Sequence, residues 1–338
     1  MKEFEVIVLL GYTLILSAIA IFIIGRYIYF RKTRQSRISI KKEKRPFNFF
    51  RYLSIVAIPI FIIGFINYVF IIQKANLFAP YWAKAILIFL LLAVLVTEIF
   101  YNINLRARNI NRTFNIIFAV LLILSGLYLI RIYTTALQYP STSESVVIDL
   151  PFKGKWITSG AGATSLTNHH DRIKSQKYAI DIIRYGENNK LFRNEGVQNN
   201  DSYTFGAEIY SPVNGIIVHV TDSLPDKKIT ERDKLAGNHI IIQFQDTLYV
   251  ALAHLQQNSI KVKKGDIVQT GDLLALVGNS GNTDFPHLHI HVQNSATYNI
   301  ETTKSYPFRF RKFKRMRYLI WTNKTNEFLL SNDIIKFE

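Results

Sequence analysis

The sequence predicts a two-part, multi-domain architecture: an N-terminal all-α bundle of four transmembrane helices, followed by a mainly-β domain folded as an antiparallel sheet or sandwich. Three observations predict it. Four long apolar runs fill the first 130 residues, short β-branched segments bounded by turn residues come after them, and all eight histidines fall between His169 and His291. A chain of 338 residues is also the length expected of about two domains at roughly 100–200 residues each.

The apolar runs are residues 6–24, 53–72, 85–103 and 114–130. At about 1.5 Å of rise per residue, each is long enough to cross or nearly cross a hydrocarbon core of ~30 Å. Glu3 and Glu5 precede the first run where a signal peptide would carry basic residues, so it reads as an anchor. Arg31, Lys32, Arg34, Arg37, Lys41, Lys42, Lys44, Arg45 and Arg51 lie between the first two runs, and Arg106, Arg108 and Arg112 between the last two. Basic loops of this kind stay in the cytoplasm, which places both termini and everything after Arg131 outside. Glu98, near the cytoplasmic end of its run, is expected to snorkel or pair with a loop arginine. The expected boundaries are a transmembrane region over 1–133, a linker over 134–150 and an extracytoplasmic domain over 151–338.

Composition narrows the chemistry. The chain has no cysteine, which excludes a disulfide framework, a thiolate metal site and a cysteine nucleophile. Its net charge of +17 favours anionic surroundings, and much of that charge sits in the short loops between apolar runs. A lipid bilayer accounts for that placement better than nucleic acid does, and no nucleic-acid partner is expected.

In the second half, residues 215–220, 239–244, 248–252 and 272–277 are short, branched and bounded by Gly, Pro, Asn or Asp, as strands are. Residues 263–266, 270–272 and 278–282 supply turns between them. Residues 308–317 alternate in part between apolar and basic, which reads as an edge strand with one face packed and the other open.

The stretch His287-Leu288-His289-Ile290-His291 carries the most chemical information. On a strand, the period of two puts the three imidazoles on one face and Leu288 and Ile290 on the other. Neutral imidazole is a ready zinc ligand, so a metal would resolve the crowding. His254 ends another apolar strand, and His169 and His170 precede Asp181, a carboxylate in an otherwise β-like run. A buried carboxylate is costly unless charge or metal compensates it. Two or three histidines with one aspartate make a nitrogen and oxygen site that suits zinc and leaves room for water. His219 and His239 sit in strands away from this constellation and are expected to be structural, at the surface or half-buried.

Taken together, Ser211-Pro212-Val213-Asn214-Gly215, Ala253-His254-Leu255, the Lys264-Gly265-Asp266 turn and Gly278-Asn279-Ser280-Gly281 with Pro286-His287-Leu288-His289 after it closely resemble the M23, or lysostaphin/LytM-type, zinc endopeptidases in order and spacing. The resemblance covers residues 150–312 and none of the apolar runs. It implies one zinc per chain, held by His289, Asp181 and an upstream histidine, with His287 and His254 as catalytic residues beside the zinc-bound water and the substrate carbonyl. In many relatives the upstream ligand lies four residues before the aspartate. That position here is Lys177, so His170, with His169 as the alternative, is the expected ligand. His291 stands where relatives often carry an acid or amide, which leaves a fourth ligand or an altered pocket open.

The resemblance and the apolar runs together imply a membrane-anchored enzyme on the outer side of a bacterial cytoplasmic membrane that cleaves peptides of peptidoglycan, with room for a regulatory membrane partner. A non-catalytic module that binds wall peptides or regulates a partner hydrolase is the alternative.

Overall fold

The computed structural model describes Arg131 and residues 134–337, apart from residues 166, 195–197, 300, 318 and 319. The described chain is mainly β, as the second half of the sequence predicts. The four-helix transmembrane bundle is corrected: among the described residues no helix is long and apolar enough to cross a membrane. The four apolar runs on which that expectation rested lie outside the described residues. Apolar length meets one requirement of a membrane span but does not by itself specify the fold of the run.

Fourteen strands form among the described residues. They are β1 (Val146–Ile148), β2 (Gly154–Gly160), β3 (Ile180–Arg184), β4 (Glu208–Tyr210), β5 (Gly215–Thr221), β6 (Asn238–Gln245) and β7 (Leu248–Leu255), then β8 (Ile267–Val268), β9 (Leu273–Leu276), β10 (Leu288–Gln293), β11 (Ser305–Tyr306), β12 (Phe308–Met316), β13 (Trp321–Glu327) and β14 (Ile334–Phe337). The main sheet runs β1-β12-β14-β2-β3-β10-β7-β6-β5-β8, with β11 added to β10 and β13 to β12, and β4 pairs with β9 in a separate ribbon. Every pairing in the main sheet is antiparallel except β1 with β12.

The centre of the sheet is β10, between β3 and β7, and all six of its residues are buried. Its alternation divides the strand by chemistry. Leu288, Ile290 and Val292 enter the hydrophobic core with Ile180 and Ile182 of β3, Val250 and Leu252 of β7, and Ile209 and Leu274 of the ribbon. The intervening His289 and His291 go to the opposite face, where Asp181 stands directly across from His289. One alternation therefore builds the core and collects the polar groups.

Two readings of the sequence change. Residues 146–148, within the stretch expected to be a linker, form β1, and Ile148 and Leu150 are buried in the core. The strand expected at the edge, β12, is flanked by β1, β13 and β14. Its basic residues are not all solvated: buried Arg309 donates to the Pro140 carbonyl at 2.6 Å, and buried Arg315 donates to the Phe328 carbonyl at 3.0 Å. Pro140 lies 169 residues from Arg309 and Phe328 lies 13 residues from Arg315, both beyond the reach of the local pattern.

Ile290 has no exposed surface and faces Ile180 on one side and Leu252 on the other. Ile290→Ala is expected to lower stability by about 2–5 kcal/mol through lost burial and a cavity. Denaturant unfolding of the full chain checks this, and a change within about 0.5 kcal/mol, the range of surface substitutions, would contradict the placement.

Candidate active site

Asp181 is 6% exposed and lies in a ring of imidazoles. His170 Nε2 is 3.0 Å from its Oδ2, His289 Nδ1 is 2.9 Å from its Oδ1, and His287 Nε2 is 3.5 Å from Oδ1. His169 Nε2 also reaches Oδ2, at 3.3 Å, from a side chain that is 48% exposed, against 10% for His170. The sequence-predicted residues His170, Asp181, His287 and His289 are thus brought together. His254 packs beside them, its ring centroid 4.7 Å from that of His287 and 5.7 Å from that of His289.

Local structure explains each position. The turn His169–Arg172 is capped by buried Asn168, whose Oδ1 accepts from the His170 amide at 3.1 Å while its Nδ2 donates to the carbonyls of Gly162 and Ala179 at 2.9 and 3.0 Å. Asn168 so ties the β2–β3 connection to both of its ends. Gly160, paired with Asp181, leaves space that the connection uses, because a Cβ there would come within 2.6 Å of the His169 ring.

His254 has a left-handed backbone, φ 61°, and its Nδ1 lies 2.8 Å from the Ser280 carbonyl. A carbonyl oxygen only accepts, so Nδ1 carries the proton and Nε2 a lone pair. His287 likewise donates from Nδ1, which is 2.9 Å from the Phe285 carbonyl and 3.2 Å from Thr283 Oγ1. The Ser280 carbonyl is held close against Gly237, where a Cβ would approach to 2.2 Å. Ser280, Thr283, Phe285 and Asn168 are supporting residues that the sequence did not single out. Their contributions run through backbone carbonyls and caps, which leave no signature in residue type.

His291 lies behind His289, its Nδ1 3.1 Å from His289 Nε2 and its Nε2 2.7 Å from Gln293 Oε1. Both nitrogens are engaged away from Asp181, so it is not part of the donor cluster. Gln293 continues the alternation of 287, 289 and 291, a pattern that could have pointed to it. His239, expected at the surface or half-buried, is buried, stacked on the half-buried His219 at 4.9 Å.

Residues 194–300 match Peptidase family M23. That stretch is about a third of the chain and resembles the peptidase domain of the family. The chain is 33% identical over 84 residues to peptidoglycan DD-endopeptidase ShyA of Vibrio cholerae serotype O1, a stretch that makes up 25% of this chain and 17% of ShyA. To peptidoglycan DD-endopeptidase ShyB of the same organism it is 31% identical over 87 residues, 26% of this chain and 18% of ShyB. The chain therefore spans less than a fifth of the length of these curated relatives. A solved structure described as a zinc containing peptidase from Vibrio cholerae is 31% identical, covering 27% of this chain and 24% of that one with a TM-score of 0.22. The M23 match contains His254, His287 and His289 but begins after His170 and Asp181, which are placed by the β2–β3 connection and by β3.

The electrostatics of the site derive from burial. Burial by itself would raise the pKa of Asp181, but the imidazoles of His170 and His287, with hydrogen bonds from His169 and His170, hold it well below the usual carboxylate range. Burial pushes His254 well below the ordinary imidazole value, His289 down to about 3 despite the pull of Asp181, and His291 and His239 each to about 4. The neutral imidazole of His289 beside an ionised carboxylate is a donor pair that suits a divalent transition metal. His169, His170 and Asp181 each offer one ligand atom within 4.8 Å of the others, and His289 lies outside that group with its Nδ1 2.9 Å from the other oxygen of Asp181.

These shifts set a pH dependence. Each depressed histidine binds fewer protons folded than unfolded between its folded value and the ordinary 6.5, so its contribution is complete above 6.5 and is lost as pH falls toward about 4. Asp181 does not titrate in that window. The chelator-treated protein is expected to lose up to about 1.4 kcal/mol per pH unit for each such histidine between about pH 6.5 and 4. Unfolding midpoints across that range check this, and a midpoint that stays level or rises on acidification would contradict it.

Proposed function

We propose that this chain is a zinc metalloendopeptidase that hydrolyses peptide bonds in the stem peptides or cross-bridges of peptidoglycan. The observation that carries the reading is the buried Asp181 carboxylate with His170 Nε2 and His289 Nδ1 at 3.0 and 2.9 Å and His287 Nε2 at 3.5 Å. The names of the curated relatives support the substrate class.

His170, Asp181 and His289 would hold the zinc, with His170 preferred to His169 because it is closer to Asp181 and buried. A zinc ion so held supplies Lewis acidity toward water and toward a carbonyl oxygen. His287 Nε2 carries the lone pair that accepts the proton of the attacking water, and from there the proton passes to the leaving amine as the C–N bond breaks. The Phe285 carbonyl keeps that ring in the required tautomer, with Thr283 Oγ1 beside it. His254, held neutral by burial, presents Nε2 as a second acceptor that orients the water.

Peptidoglycan lies outside the cytoplasmic membrane, so the domain acts there. The apolar runs before residue 131 and the basic stretches of sequence between them support attachment to the bilayer, with the lipid headgroups as the anionic partner.

Purified full-length protein is expected to contain one zinc per chain and to release peptides from wall preparations, identified by mass spectrometry. His287→Ala should retain the metal and lose about 100- to 10,000-fold in rate. His170→Ala should lose the metal, whereas His169→Ala should keep it. Zinc-loaded protein that cleaves no wall type would instead favour a module that only binds wall peptides.

A further inference from the structure

The alternation that places His287 and His289 at the site does not stop there. His291 and Gln293 continue it on the same face, 1% exposed each, and the hydrogen bonds among them have a direction that can be derived from one end. Gln293 Nε2 lies 2.6 Å from the Ser295 carbonyl and 3.2 Å from the Thr297 carbonyl. Both carbonyls only accept, so the amide nitrogen must face them and Oε1 must face His291. Oε1 also only accepts, so His291 Nε2, at 2.7 Å, donates to it. A neutral His291 then has a lone pair on Nδ1, which accepts from His289 Nε2 at 3.1 Å. That proton assignment leaves His289 Nδ1 bare, and it faces Asp181 Oδ1 at 2.9 Å. Two acceptors at that separation need a cation between them, and the same lone pair is the one a metal uses.

We infer that His291 and Gln293 are positioning residues whose hydrogen-bond relay, anchored on the Ser295 and Thr297 carbonyls, fixes the tautomer and ring orientation of His289 so that Nδ1 is offered to the metal. The inference rests on the zinc reading of the site proposed above and assigns the part these two residues play in it. His291 is neither a ligand nor a catalytic residue in this arrangement. It stands between His289 and the loop after β10, and it acts on the metal only through His289. Supporting contacts of this kind typically change metal affinity by about 10- to 100-fold.

The relay distinguishes two substitutions. Asparagine carries its Oδ1 where histidine carries Nδ1, so His291→Asn can still accept from His289 Nε2. Leucine fills similar space and accepts nothing. Zinc titration of the full-length chain against a competing chelator is expected to show affinity about 10- to 100-fold weaker in His291→Leu, with His291→Asn retaining most of it. In parallel, NMR of the chain labelled with isotopic histidine, with and without zinc, reads the tautomer of His291 directly. The expected form has the proton on Nε2 and a bare Nδ1.

A His291 protonated on Nδ1 overturns the relay, and so does wild-type affinity in His291→Leu. If His291→Leu does not fold, the tautomer in the unsubstituted chain and the affinity of His291→Asn decide the matter. Failure of the unsubstituted chain to bind zinc counts against the zinc reading, while the NMR result still decides the direction of the relay.

Discussion

A carboxylate buried in the middle of a β-sheet is the constraint around which this domain is arranged. Desolvating Asp181 costs on the order of several kcal/mol unless opposite charge or hydrogen bonds return it. The sheet places β10 beside β3 in the one register that sets His289 across from Asp181, and the β2–β3 connection brings His170 over the second oxygen. A slip of one residue would turn Leu288 and Ile290 toward the carboxylate and His289 into the core, so packing and site chemistry select the same register.

Around that centre the rings are oriented chiefly by groups that cannot change their hydrogen-bonding role. The Ser280 and Phe285 carbonyls force the proton of His254 and His287 onto Nδ1, and Gln293 forces that of His291 onto Nε2. Each resulting tautomer leaves a lone pair where the chemistry uses one. The left-handed backbone of His254 is local strain held by the surrounding sheet, and glycine at 237 avoids the clash that a Cβ would make with the Ser280 carbonyl. Rigidity here comes from β10 and its neighbours, whose core residues have essentially no exposed surface.

Much of this was legible in the sequence because β-structure writes its period into residue type. The runs 215–220, 239–244 and 248–252 stood out as branched stretches between turn residues and fall within β5, β6 and β7, and the three alternating histidines declared a shared face. Asp181 was conspicuous as a carboxylate among Ile180, Ile182 and Ile183. The parts that were not legible depend on distant partners. β1 is short and is recruited by β12 more than 150 residues later, and the burial of Arg309 and Arg315 depends on carbonyls elsewhere in the chain. His239 looked like a surface residue because its stacking on His219 comes from strand pairing, and the choice between His169 and His170 turns on a cap made by Asn168. Hydropathy suggested a helical bundle before residue 131, but apolar length says only that a run could span, and no such helix occurs among the described residues.

The most direct measurement is X-ray diffraction from zinc-soaked crystals at wavelengths on either side of the zinc absorption edge, which locates the ion by its anomalous scattering without reference to activity. One peak within about 2.0–2.2 Å of His170 Nε2, Asp181 and His289 Nδ1 is the expected result. A peak elsewhere in the domain, or none at full soaking, would contradict the claim that these three groups share a metal.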